Sequence, residues 1–342
     1  MLDWLKLVRV SGLFTIVSNL TVAVLMAVYA SEALDLRILA KRFAQGGEIR
    51  VLWVIAASFL LYLSGMIWND LADVDRDRTL HPRRPLPSGR INLAAAYVAG
   101  VVFAVGALLC AAMVDLQRAP QHGPPHSFYA AGVVLSLIFL YNLVTKDVPY
   151  LGSLTMALVR FAHAIFALLL LGPDYLQLAV LGPAVAPGQG YLLVYPILLG
   201  AYILGVTLIS ELESRAGRRL ELLIGGALMF GAILAAGALL VRAHWLPRIT
   251  QGDGALQVVG MAIAFGLGVV LFAWLLRTVA KPYFAALRDG RAALVGPVVG
   301  AALGGIMLLD ALIATSAHPL GGLLILLLVP FFLLSRRVVR MD

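Results

Sequence analysis

The chain has 342 residues, 61% of them hydrophobic and 13% charged, with a formal net charge of +8 and a mean hydropathy of +0.95. Soluble domains carry about 25% charged residues, so a water-soluble globular protein is excluded, and repeated apolar runs of about 20 residues mark transmembrane helices instead. The basic excess sits in short loops beside those runs, where lipid headgroups and membrane topology account for it, so membrane lipid and no nucleic acid is the expected partner.

In chain order, ten apolar segments are predicted at about 12–30, 51–68, 93–114, 127–145, 149–171, 191–210, 220–241, 256–278, 292–315 and 319–335. The expected class is all-α: a polytopic transmembrane bundle of nine to ten helices forming a single domain over 1–342. The count turns on the last two segments, which only Ser316–Pro319 separates and which form either one broken helix or a hairpin. Met1–Val10 carries charge on both sides of Trp4 and has no apolar core, so the first run is expected to stay in the membrane rather than be cleaved as a signal peptide. The stretch 31–50 reads as a short amphipathic helix on the far surface. The single cysteine, Cys110, excludes an intramolecular disulfide framework.

Basic residues orient the bundle. With a cytoplasmic N-terminus, 18 of the 26 bases fall at cytoplasmic ends and 7 on the other side, with Arg160 inside a segment. Loops 69–92, 146–149 and 211–219 then share one face, opposite the Gly/Pro-rich loop 172–190.

The stretch "NDLADVDRDRTLHPRRPLPSGR" at 69–90 gathers four aspartates and five arginines. Asn69, Asp73 and Asp77 are spaced i, i+4, i+8, and Asp70 lies three before Asp73, so a helix running to residue 77 puts an amide and three carboxylates on one stripe. Like charges at that spacing repel unless something neutralises them. An all-oxygen ligand set suits a hard cation such as Mg²⁺, which takes one or two carboxylates plus substrate phosphates. The bland alternative is a solvated acidic helix end, partly neutralised by Arg76 and Arg78. The register with a membrane helix and the basic run that follows favour a metal–diphosphate site.

"NDLADVDRD" resembles the NDxxDxxxD signature of the UbiA superfamily of intramembrane prenyltransferases, and "RPLPSGRI" resembles the RPLxSG segment that follows it there. "YNLVTK" at 141–146 is similar to the family's Tyr/Lys element at the end of the fourth helix. The resemblance implies a bundle with a central cavity open to lipid, and Mg²⁺-dependent transfer of a prenyl group from an isoprenyl diphosphate to an aromatic or lipophilic acceptor. It implies that Asn69, Asp73 and Asp77 hold the metal and that Asp70 shares that role or orients a neighbour. It also implies that Arg84 and Lys146 meet the diphosphate with Tyr141 assisting, while Arg9 and Asn19 face the site from the first helix. The setting would be the bacterial inner (cytoplasmic) membrane, with the site on the cytoplasmic side.

The family's second acidic motif is degenerate here. In "TLISELESRAGRR" at 207–219, anchoring on Gly217 puts Glu213 at the second acidic position, with Glu211 between positions. Either Glu213, with Glu211, holds a second metal, so that catalysis depends on Asp73, Asp77 and Glu213, or both glutamates are interfacial charges paired with Arg215 and Arg218. This stretch and "MALVRFAH" resemble a divergent branch that includes the UbiA-like proteins of ebo gene clusters. Arg160 and His163 lie at membrane depth on one helical face. Arg160 reaches the diphosphate, reaches the acceptor, or pairs structurally with Asp310. His163 and Asp310 read as structural, and His81 as solvated. The competing function is non-catalytic binding or carriage of an isoprenoid lipid. A phospholipid-type alcohol phosphotransferase is disfavoured, because its signature is absent.

Overall fold

The computed structural model describes residues 2–30, 48–117, 125–169, 193–213, 219–244, 255–318 and 321–338. Residues 31–47 of the expected surface helix 31–50, the loop 172–190 and the proposed partners Arg215 and Arg218 lie outside the described residues, whereas 48–50 open the long helix Glu48–Ala72. Among the described residues there is no strand.

The helices are α1 (Leu2–Leu7), α2 (Leu13–Ala30), α3 (Glu48–Ala72), α4 (Val74–Leu80), α5 (Leu93–Leu116), α6 (His126–Leu140), α7 (Leu151–Leu168), α8 (Val194–Ser210), α9 (Arg219–His244), α10 (Ala255–Asp289), α11 (Val295–Ala317), α12 (Gly321–Leu326) and α13 (Val329–Val338). Among the described residues, seven stretches are long and apolar enough to cross a bilayer, from Arg50–Ala72 to Ala292–Ala317, and Val10–Met26, Val194–Ser210 and Gly321–Ser335 are shorter apolar helices. The chain is therefore a multi-pass integral membrane protein, and these helices coincide with the ten predicted segments.

Helix α11 is the hub. It packs against α2, α8, α9, α10 and α12, and every residue from Gly305 to Ala317 is buried. By contrast α5 leaves Val98, Val101, Val102, Val105 and Leu109 exposed, at no cost in lipid, whose tails are as apolar as leucine.

In a bilayer, helix association rests on close van der Waals packing, for which small residues are needed. A Cβ on Gly205 would sit 2.5 Å from the Gly225 carbonyl oxygen, and one on Gly225 would sit 2.7 Å from that of Gly205, so α8 and α9 touch backbone to backbone. The same device resolves the last two segments. The chain turns at His318, and a Cβ on Gly321 would lie 2.5 Å from the Ala314 carbonyl oxygen. Helix α12 thus folds back on α11 as a hairpin rather than continuing it.

Candidate active site

The acidic stripe forms where α3 gives way to α4. The helix breaks at Asp73, yet the amide of Asp73 donates to the Asn69 carbonyl (3.1 Å) and that of Asp77 to the Asp73 carbonyl (2.8 Å). The one-face register survives the break. Asp70, Asp73 and Asp77 are all buried.

Each carboxylate has a basic partner from elsewhere in the chain. Arg9 donates to Asp70 at 2.9 Å. Lys146 meets Asp73 at 2.6 Å, and Arg76 meets the same oxygen at 2.9 Å. Arg84 meets Asp77 at 2.5 Å. The repulsion expected of the bare stripe is therefore relieved within the protein by four bases. Arg76 also bridges to Asp147 at 3.1 Å, which ties α4 to the segment after α6.

Local structure aims each of these bases. Arg9 itself is left-handed, with φ 46°, a conformation that costs a non-glycine residue on the order of 1 kcal/mol. The Tyr62 hydroxyl holds it there, donating to the Arg9 carbonyl at 2.9 Å. Arg84 rides on loop 82–92, which is nailed down by buried Leu86 and Ile91 against Leu7, Ile67 and Leu71. Gly89, at φ 74°, makes the turn that this requires. Lys146 follows a π-helical turn, Tyr141–Thr145, that ends α6, and its amide donates to the Tyr141 carbonyl at 3.0 Å. Such an insertion rotates everything after it, and single π turns are frequent at functional sites.

Below the stripe lies a cavity of about 710 Å³, counting its open mouth. Arg9, Asn69, Tyr141, Arg160 and His163 are among its polar lining, with Ile16, Leu61, Val134, Ile138, Met156 and Val159 among the walls. Helices α2, α3, α6 and α7 supply the lining, so it is a tunnel through the first half of the bundle. Eleven residues of α3 separate its lining residues Asn69 and Ser58, about 16 Å along the axis.

The structure thus joins Asn69, Asp70, Asp73, Asp77, Arg9, Arg84, Tyr141 and Lys146. It does not bring in the others as expected. Asn19 is buried away from the cavity lining, donating to Asp310 at 2.8 Å. Asp310 and Arg160 make no direct salt bridge, but each acts on the other's charge through space; Asp310 accepts from Ser18 (2.5 Å), Asn19 and Tyr195 (3.2 Å). Glu211 accepts from the Tyr150 amide (3.0 Å) and the Ser153 hydroxyl (2.5 Å), capping the N-terminus of α7, where a negative charge is favourable. The Glu213 side chain lies outside the described residues. His81 is exposed. Sequence reasoning missed Tyr62 and Asn142, which also line the cavity; Asn142 sits inside the YNLVTK element, whereas nothing marks Tyr62 among the other apolar positions of its helix.

The UbiA prenyltransferase family matches residues 18–279, about three quarters of the chain. The chain belongs to the UbiA prenyltransferase family. Curated relatives include the digeranylgeranylglyceryl phosphate synthase of Methanobrevibacter smithii, 27% identical over 137 residues, covering 38% of this chain and 44% of that protein. The Pyrococcus horikoshii protein of the same name is 31% identical over 103 residues, covering 30% of this chain and 34% of that protein. The chain thus spans less than half the length of the curated relatives it matches. Among solved structures, a UbiA homolog from Aeropyrum pernix K1 in its apo form superposes with a TM-score of 0.51 at 16% identity, covering 86% of this chain and 96% of that one. This confirms the UbiA fold.

Among the described residues, no three His, Cys, Asp or Glu side chains converge into a ready-made metal cage. Magnesium does not require one when phosphates complete its shell. The oxygens of Asn69, Asp70, Asp73 and Asp77 suit it chemically, because all are hard and those of the three aspartates are anionic and buried.

Proposed function

We propose that this UbiA family protein is a prenyltransferase that moves a prenyl group from an isoprenyl diphosphate to a lipophilic or aromatic acceptor within the membrane, with Mg²⁺. The observation that carries this reading is a buried acidic stripe, with a base on every carboxylate, at the mouth of an apolar tunnel. A phosphate recruits the bases and a cation recruits the acids. The internal ion pairs are thus poised to exchange for substrate.

Lys146, Arg84 and Arg9, with Tyr141 beside them, bind and orient the diphosphate, and the tail lies along Leu61, Ile138 and Val159. Asn69, Asp70, Asp73 and Asp77 would hold Mg²⁺, which neutralises charge on the departing diphosphate. As the donor C–O bond breaks, its electron pair leaves with the diphosphate, and the bases stabilise that growing charge. The faces of Tyr62 and Tyr141 favour the allylic cation, and the apolar walls keep out water that would quench it. The new bond forms to the acceptor, which gives up a proton. We place the whole 342-residue chain in one domain, in the cytoplasmic membrane, with the stripe on the cytoplasmic side.

The test is purified protein in detergent with a panel of radiolabelled isoprenyl diphosphates and Mg²⁺. Labelled product with an acceptor mixture, abolished by EDTA and restored by Mg²⁺, is the expected result. Glu211 is used as a helix cap rather than at the stripe, which favours the competing carrier reading; donor binding without diphosphate release would establish it. A cysteine placed at Ser88 should be labelled only from the cytoplasmic side of intact cells.

A further inference from the structure

A second recess lies outside the acidic stripe, where loop 82–92 meets α1. It encloses about 770 Å³, counting its open mouth, and Lys6, Arg83, Arg84 and Arg90 all line it. Four bases converge on one opening, and two acids answer them: Asp3 meets Arg90 at 2.7 Å, and Asp77 meets Arg84 at 2.5 Å. Among the described residues the Lys6 and Arg83 side chains make no hydrogen bond and no ion pair. The recess therefore carries excess positive charge, and a concave wall of one sign draws in anions.

Its shape is set before anything binds. Pro82 and Pro85 bracket Arg83 and Arg84 and fix φ on either side of them. Buried Leu86 and Ile91 pin the loop against Leu7 of α1. Arg90 closes it, donating to Asp3, to the Ser88 hydroxyl at 3.0 Å and to the Arg83 carbonyl. Such preorganisation lowers the cost of binding. Arg84 belongs to both places: it holds Asp77 in the stripe, and it lines the recess. Its side chain is 22% exposed, against 2% for that of Asp77, so Arg84 is the step between the buried stripe and the water.

Prenyl transfer yields two products of opposite solubility. The prenylated product belongs in lipid, and the highly charged diphosphate belongs in water. We propose that Lys6, Arg83 and Arg90, with Arg84 as the inner wall, form a phosphate site beside the stripe that receives the departing diphosphate. This rests on the prenyl-transfer reading and adds the route by which the second product leaves. The three arginines offer forked donors to phosphate oxygens, and Lys6 adds a point charge. Among the described residues no acid lines the recess, so a phosphate binds there without Mg²⁺, in contrast to the stripe. The phosphate of an anionic lipid headgroup shares this chemistry, and the experiment separates the two.

The test uses purified full-length protein in neutral detergent with EDTA, and radiolabelled inorganic diphosphate as the probe. Wild type should bind it without Mg²⁺. Lys6→Gln and Arg83→Gln should each weaken binding about 5-fold, and the double variant about 20-fold. Arg78→Gln, whose native side chain pairs with Asp75 outside the recess, should change binding by less than about twofold. Lys6 and Arg83 have no partner to lose, so these variants should unfold within about 2 °C of wild type. Dihexanoyl phosphatidylglycerol, a soluble lipid monoanion, should displace the probe at least ~10-fold less well than unlabelled diphosphate. The proposal is overturned if wild type binds no diphosphate without Mg²⁺, if the double variant binds as well as wild type, or if Arg78→Gln weakens binding as much as Arg83→Gln. It is also overturned if the lipid displaces the probe as well as diphosphate does, which would make the recess a headgroup site. Prenyl transfer by the same preparations keeps the two readings apart. Wild type that binds diphosphate through these bases but transfers no prenyl group would sink the prenyl-transfer reading. Normal transfer, with binding unmoved in the double variant, would sink the recess alone.

Discussion

Two regions of this protein bury charge in an apolar bundle, and they do it in opposite ways. At the loop end, Asp70, Asp73 and Asp77 each meet a base, and one of them meets two. Midway down α7, Arg160 has no ion-pair partner among the described residues. Both arrangements concern the cost of an uncompensated buried charge. With Asp147 sharing Arg76, the stripe's four bases are matched by four acids, and it keeps its stability while it waits for substrate. At the deep site Arg160 and Asp310 act on each other through space, with no salt bridge between them. Charges in contact and charges balanced at a distance are therefore different kinds of evidence. The first suggests exchangeable binding of an ion pair such as metal–diphosphate, and the second a fixed charge pair within the bundle.

The largest effects should come from breaking the paired region. Asp73→Ala and Asp77→Ala should each reduce prenyl transfer by about 1,000-fold or more, since each removes a proposed metal ligand. Because Asp77 is buried against Arg84, Asp77→Ala should also destabilise the fold by about 3 kcal/mol, read as a loss of thermal stability in detergent. Near wild-type transfer in both variants would show the stripe to be only a set of structural ion pairs. Glu213→Gln comes next. If its carboxylate completes the metal site, transfer should fall about 100-fold and recover partly at raised Mg²⁺. An unchanged rate would confine the metal to the first stripe.

Two smaller effects sharpen the contrast. Asp310→Asn alters a hydrogen-bonded cluster and should cost about 1–2 kcal/mol of stability while leaving donor binding within threefold. Because Asp310 and Arg160 act on each other electrostatically, a much larger loss of stability would show that this through-space attraction, rather than the hydrogen bonds, is what Asp310 contributes. Glu211→Gln should cost about 1 kcal/mol through the N-terminus of α7 and leave transfer intact, measured by thermal unfolding alongside turnover. A dead enzyme there would return Glu211 to the metal site and separate its role from the cap.

Composition and periodicity alone determined that this is a multi-pass helical membrane protein, where its apolar segments lie, and that residues 69–77 present a single acidic stripe. Those are local properties: a run of about 20 apolar residues has one low-energy solution in lipid, and i, i+4 spacing sets a helix face whatever surrounds it. The family signature likewise lies within short contiguous stretches. What the sequence left open were the partners. Arg9 and Asp70 are 61 residues apart, Lys146 and Asp73 are 73 apart, and Ser18 and Asp310 are 292 apart. Nothing local says that Asn19 turns to Asp310 rather than to the cavity, that Glu211 caps α7, or that Arg160 meets Asp310 through space without a salt bridge. Those outcomes follow from which helices lie side by side, and that is decided by close glycine contacts such as Gly205 on Gly225 and Gly321 on Ala314. In lipid, apolar side chains gain nothing by leaving one neighbour for another, so shape complementarity between distant segments, not hydrophobic pattern, selects the arrangement that sets every charge beside its partner or leaves it without one.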